Sequence, residues 1–216
     1  MAKSGARGTA NAIEVIDRLK KAYPHAETAL DFSTPLEMLV ATILSAQCTD
    51  AMVNRVTPAV FDRFRTAADY AAVAPGELEA LIRPTGFFRN KAKNIIAAAA
   101  IIDERFGGEV PRTMEELISL PGVARKTANV VLSEAFGVID GIAVDTHVRR
   151  LSNQLGLSRS DNPEKIERDL MEALPPDDWY TACNTLIYHG RQVCFARNPK
   201  CDVCVLADIC PSAFKV

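Results

Sequence analysis

The chain has 216 residues, 48% of them hydrophobic and 24% charged, and a formal net charge of −2. That length fits one compact domain or two small ones, and the composition excludes a disordered chain. No apolar run reaches the roughly 18 residues of a membrane span, and the near-zero charge excludes a protein coated in positive charge while leaving room for a local basic face.

The opening stretch "MAKSGARGTAN" lacks the apolar centre of a secretory signal, so the expectation is a soluble intracellular protein with no membrane partner. Helix signals then succeed one another along the chain. "TPLE" at Thr34 is a capping box with proline at the first helical position. Behind it Val40, Ile43 and Leu44 repeat with the spacing of a buried helix face. "TMEE" at Thr113 predicts a second capping box, and "NPEK" at Asn162 an asparagine cap followed by proline. Gly107 with Gly108, Gly137 and Gly156 stand where left-handed C-caps end helices. No segment alternates apolar and polar residues over a strand length. The chain therefore reads as all-α, with roughly ten helices joined by short loops and no solenoid repeat.

Local basic stretches stand out against the acidic total. "RPTGFFRNKAKN" carries Arg83, Arg89, Lys91 and Lys93 with no acid between them. "HVRRLSNQLGLSR" and "ARNPK" are also basic. Each is either a solvated helix surface or a face for a polyanion.

"LPGVARKTANVV", from Leu120, has the form of a hairpin between two helices, with Ala128, Val131, Leu132 and Ala135 on the buried face of the second. A glycine turn at Gly122 followed by a fresh helix start offers free N–H groups to an anion. Such a contact reads a phosphate backbone rather than bases. The alternative is an ordinary helix corner. Lys126 falls in the first helical turn, where the dipole disfavours an ammonium. A lysine in water, with pKa near 10.4, is neutral about once in 2,500 at pH 7. Lowering that value to roughly 7–8, as a nucleophile needs, takes about 4 kcal/mol, of which the dipole supplies roughly 0.3–1. Removal of water has to supply most of it, so a nucleophilic lysine here is expected in a dry setting.

"GIAVDTHVRRL" places Asp145 between a short apolar run and a basic amphipathic segment. One reading is a helix N-cap, the other a carboxylate beside a reacting group. The two are compatible, because a carboxylate committed to its own helix stays ionised without pairing tightly with the lysine.

Six cysteines are present. Cys48 and Cys183 read as small buried apolar residues. Cys194, Cys201, Cys204 and Cys210 are spaced C-x6-C-x2-C-x5-C near the end of the chain. Disulfides do not suit a reducing compartment. A single C-x2-C pair with two outlying cysteines suits a four-thiolate iron–sulfur cluster, with a structural zinc as the alternative. The loop between the first two carries Arg197 and Lys200 and would present them to a polyanion.

Taken in order and spacing, "LSAQCTD", "LPGVARKTANVV", "AVDTHVRRL" and the terminal cysteine pattern resemble the endonuclease III family, bifunctional DNA glycosylases and abasic-site lyases of the helix–hairpin–helix superfamily. The resemblance runs from about Asn11 to Pro211. It implies two helical domains flanking a DNA-binding cleft: a six-helix barrel over residues 28–138, and a domain of residues 1–27 and 139–216 holding a 4Fe–4S cluster on the four cysteines. It implies removal of oxidised pyrimidines from damaged double-stranded DNA after the base is flipped out. Lys126 would be the nucleophile and Asp145 the carboxylate that steadies positive charge on the sugar. Gln47 would fill the gap left by the extruded nucleotide, and Phe87 stands where the family usually has a leucine wedge. Gly122, Ala124, Arg125, Thr127, His147, Arg197 and Lys200 would contact the DNA. Two positions depart from the family pattern: Ala124 replaces a second hairpin glycine, which would tighten the approach to phosphate, and Cys48 replaces a plain small residue.

A monofunctional glycosylase of the same superfamily is the nearest rival, but those enzymes generally lack the lysine. A non-enzymatic DNA-binding metal module and an electron carrier are the others. A monomer, acting at the nucleoid in the cytoplasm, would suffice for the chemistry.

Overall fold

The computed structural model describes residues 10–215. The expectation for the first nine residues lies outside that range. Among the described residues there is no strand, so the all-α reading holds. No helix is long and apolar enough to cross a membrane.

The helices in chain order are α1 (Ala12–Ala22), α2 (Pro35–Ser45), α3 (Asp50–Arg63), α4 (Ala67–Ala72), α5 (Pro75–Ile82), α6 (Phe88–Phe106), α7 (Met114–Ile118), α8 (Arg125–Phe136), α9 (Thr146–Leu155), α10 (Pro163–Ala173) and α11 (Trp179–Gln192). Short 3₁₀ turns cover Arg83–Thr85, Pro176–Asp178 and Cys201–Val203. The chain divides into two compact units, one of residues 28–140 and the other of the residues before and after it.

Most ends follow from the sequence. Thr34 accepts the Glu37 N–H while Glu37 reaches back to the Thr34 N–H, a complete capping box. Asn162 accepts the Lys165 N–H. Gly107, Gly137 and Gly156 end their helices at φ of 61°, 65° and 74°. The predicted box at Thr113 forms only by half. Its hydroxyl accepts the Glu116 N–H, but the Glu116 carboxylate takes the hydroxyl proton, at 2.7 Å, rather than a backbone N–H.

In the 28–140 unit, Met38, Leu39, Leu44, Val53, Leu78, Ile82, Ile102, Val131 and Leu132 form one buried core. α2 lies against α3, α6 and α8, which places the hairpin helix α8 on the centre of the unit. In the other unit α11 packs on α1 and α9. Arg18 of α1 binds Asp208 and the Val205 carbonyl, tying the cysteine segment to the first helix.

Candidate active site and metal centre

The hairpin is built around two backbone requirements. Gly122 has φ +79°, where side chains strain the backbone, and a Cβ there would lie 2.8 Å from Asn94 Cβ and Nδ2. The Val123 N–H closes the turn on the Leu120 carbonyl at 3.1 Å. α8 then begins from Ala124, whose methyl group caps nothing. A helix start whose N-cap residue offers no side-chain acceptor suits the binding of an anion. Ala124 sits at φ −88°, an extended geometry that needs no glycine, so the departure from the family pattern costs the backbone nothing. Arg125 and Thr127 are half-buried, and the Arg125 guanidinium stands 3.9 Å from the Asp140 carboxylate. Asp140 and Asn94 carried no signal in the sequence.

Lys126 is exposed. The expected dry setting is therefore not provided by the chain alone. At 3.6 residues per turn Lys126 falls on the side of α8 away from Ala128, Val131 and Leu132, and water must be displaced by whatever binds there.

Gln47 and Phe87 share an unusual backbone. Both lie in the left-handed region, at φ 52° and 48°, without being glycine. Gln47 is exposed in the turn after α2, where the Cys48 N–H returns to the Ser45 carbonyl at 3.0 Å. Phe87 is the N-cap of α6 and is 64% exposed, whereas its neighbour Phe88 packs against the core. Of the basic run, Arg83, Arg89 and Lys93 are exposed, but Lys91 is not: it is 5% exposed and belongs to the interior. Cys48 is half-buried against the core rather than fully inside it, and Cys183 is buried with its thiol donating to the Ala143 carbonyl at 3.3 Å.

In the other unit Asp145 is half-buried and is the N-cap of α9. Its Oδ1 accepts the N–H groups of His147 and Val148, both at 2.8 Å, and Oδ2 takes neither. The cap reading of the sequence is correct. His147 is half-buried, and burial holds its imidazole below the ordinary value, opposed by Asp145 and helped by Arg150 and Arg191. Its Nδ1 faces Arg150 Nη2 at 3.3 Å, and a guanidinium only donates, so Nδ1 accepts. Arg150 also donates to the carbonyls of Gly190 and Cys194, at 3.0 and 2.7 Å, joining α9 to the first cysteine.

The four terminal cysteines lie in that same unit. Cys194 Sγ is 3.0 Å from Gln154 Oε1, and burial, with the charges of the other three thiols, pushes it up to about 11. Burial also raises Cys204 and Cys210. Cys204 Sγ stands 3.3 Å from His189 Nε2, while Tyr23 occupies the other ring nitrogen at 3.0 Å. Cys201 Sγ accepts the Phe214 N–H at 3.5 Å. The thiols thus feel one another's charge, yet among the described residues no three His, Cys, Asp or Glu side chains converge as a single ion would require. Four cysteine thiols are the donor set of a cuboidal cluster, in which each thiolate binds a different iron. The loop between Cys194 and Cys201 is closed by the Lys200 N–H on the Val193 carbonyl at 3.0 Å. Arg197 and Lys200 are exposed on it, and Lys200 Nζ lies 5.3 Å from the Phe195 ring centre.

Known proteins resemble this arrangement along nearly its whole length. Residues 40–176 match the HhH-GPD superfamily base excision DNA repair proteins, and residues 194–210 match the iron–sulfur binding domain of endonuclease III. The endonuclease III of Synechocystis sp. is 58% identical over 202 residues, covering 94% of this chain and 92% of that protein. That of Escherichia coli strain K12 is 40% identical over 207 residues, covering 96% and 98%. Among solved structures, a non-covalent endonuclease III–DNA complex superposes with a TM-score of 0.88 at 46% identity, covering 92% of each chain. A trapped endonuclease III–DNA covalent intermediate also gives 0.88, at 45% identity, covering 92% of this chain and 95% of that one.

Proposed function

The chain belongs to the endonuclease III family of the HhH-GPD base excision repair superfamily, and on that footing we propose that Lys126 and Asp145 are its catalytic pair. It is a DNA glycosylase with abasic-site lyase activity, and its cofactor is a 4Fe–4S cluster. Its substrate is damaged double-stranded DNA carrying an oxidised pyrimidine, read by a monomer working at the nucleoid.

In this reading Lys126 Nζ attacks the anomeric carbon of the damaged nucleotide, the N-glycosidic bond breaks, and the base leaves with the bonding electrons. Loss of the amine proton and opening of the sugar ring give a Schiff base. Removal of a C2′ proton then expels the 3′ phosphate by β-elimination, and water releases the enzyme. Asp145 steadies the positive charge that develops on the sugar through the oxygen not used in capping α9. Gly122, Ala124, Arg125 and Thr127 receive a phosphate on the uncapped start of α8. His147, Arg197 and Lys200 hold the backbone elsewhere, Gln47 fills the vacated stack, and Phe87 wedges beside it. Cys194, Cys201, Cys204 and Cys210 hold the cluster, which binds the last segment into a fixed shape.

The observation that carries the proposal is the exposed Lys126 in the first turn of a helix with no capping side chain. The amine is reachable, and bound DNA is the agent that dries it. Borohydride trapping of wild type and Lys126→Ala on a panel of damaged duplexes tests it. A covalent adduct that persists in the variant would assign the nucleophile to another amine.

A further inference from the structure

Lys91 is a buried lysine that the mechanism does not use. It lies in the first turns of α6, is 5% exposed, and donates from Nζ to two backbone carbonyls, Leu44 at 2.7 Å and Thr85 at 2.8 Å. Both acceptors end short elements. Leu44 is in the last turn of α2, where carbonyls lack helical partners and the dipole favours a cation. Thr85 is the last residue of the 3₁₀ turn before α6.

The turn just beyond each carbonyl gives the contact its meaning. Gln47 comes three residues after Leu44 and Phe87 two residues after Thr85, and both hold left-handed backbones without being glycine. Such conformations persist only where surrounding contacts over-determine them. The Lys91 N–H also bonds the Phe87 carbonyl at 3.1 Å, so one residue grips the Phe87 turn from two sides and the Gln47 turn from one. Burial acts against the ammonium, lowering its proton affinity, and the two carbonyls are what it receives in return.

We propose that Lys91 is a positioning residue, clamping the Leu44 and Thr85 carbonyls so that the Gln47 and Phe87 turns present their side chains to the duplex at a fixed separation. The inference rests on the reading of Gln47 and Phe87 as the residues that enter the base stack. A single-stranded abasic site has no stack to enter, which separates positioning from general damage to the fold.

The test measures borohydride trapping rates on an abasic duplex and on the same abasic strand alone, for Lys91→Met, Lys91→Arg, Gln47→Ala and Phe87→Ala. Lys91→Met, which keeps the stem without donors, is expected to lose about tenfold or more on the duplex while holding its single-strand rate within about twofold. Lys91→Arg is expected to restore most of the duplex rate. Equal losses on both substrates, or none on either, would overturn the proposal. If Gln47→Ala and Phe87→Ala lose nothing specific to the duplex, the underlying reading fails. If they do and Lys91→Met does not, only the clamp fails. Should Lys91→Met not fold, Lys91→Gln takes its place under the same criteria. Failure of both to fold assigns Lys91 to the scaffold and overturns the clamp.

Discussion

The side chain of Asn94 occupies the space that a β-carbon on residue 122 would need, its Cβ and Nδ2 each 2.8 Å from that point. The hairpin is thus fitted to α6 as well as to its own turn. Gly122→Ala meets both this clash and a φ of +79°. It is expected to cost about 1–3 kcal/mol locally and to weaken binding to damaged and undamaged duplex alike. Fluorescence anisotropy with both duplexes measures this. Pairing it with Asn94→Ala should remove the Nδ2 and Cγ contacts but leave the Cβ contact and the φ strain, giving at most partial recovery. Full recovery would mean that backbone conformation is unimportant at this turn.

Lys126→Ala removes the amine without touching the N–H groups of α8. Adduct formation on abasic DNA is expected to vanish while duplex affinity falls by no more than about one lost phosphate contact. Gel analysis after borohydride reduction, beside a binding isotherm, reads the two separately. A parallel collapse of affinity would make the lysine a backbone contact first.

Asp145 caps α9, and substitution can separate that cap from the catalytic role proposed for it. Asparagine caps helices about as well as aspartate, whereas alanine costs about 1 kcal/mol. Asp145→Asn is therefore expected to melt close to wild type, and Asp145→Ala about 2–4 °C lower. Both should lose about a hundredfold or more in base removal, because both lose the charge on the free oxygen. Base release under single-turnover conditions together with thermal melts checks this. An active asparagine variant would leave the carboxylate as a cap only.

The capping residues Thr34, Asp145 and Asn162 were legible in the sequence because each interaction is local and spans two or three residues. The cysteine pattern was legible for the same reason. Lys91 was not. On a helix surrounded by other bases it reads as surface, and its burial depends on a carbonyl 47 residues away. The left-handed turns at Gln47 and Phe87 were hidden because glycine is the usual signal for that conformation and neither is glycine. The dryness expected at Lys126 is not found in the chain alone, where that residue is exposed.

Lys200 stands on a loop closed by its own N–H, with its ammonium over the Phe195 ring. Lys200→Glu keeps the closure and reverses the charge. Binding to damaged and undamaged duplex should weaken together, and the dependence of log K on log salt should become shallower by about one or two phosphate contacts. Titrations at several salt concentrations measure the slope. An unchanged slope removes this loop from the interface.

His147 predicts a direction in pH. Burial holds its imidazole below the ordinary value, so on acidification the unfolded chain takes up this proton before the native protein does. Stability therefore starts to fall as pH drops through the unfolded value of about 6.5, and this contribution levels off only below the lower native value. His189, which burial holds at about 4, adds a loss of the same sign, so wild type alone cannot isolate His147. Comparison with His147→Gln can, because glutamine takes up no proton while His189 remains in both proteins. The stability difference should move in favour of the variant between about pH 7.5 and about pH 5, as followed by paired thermal melts. A constant difference would mean that residue 147 titrates alike in the folded and unfolded chains, and that the Arg150 and Gly190 packing around it does not shield the ring.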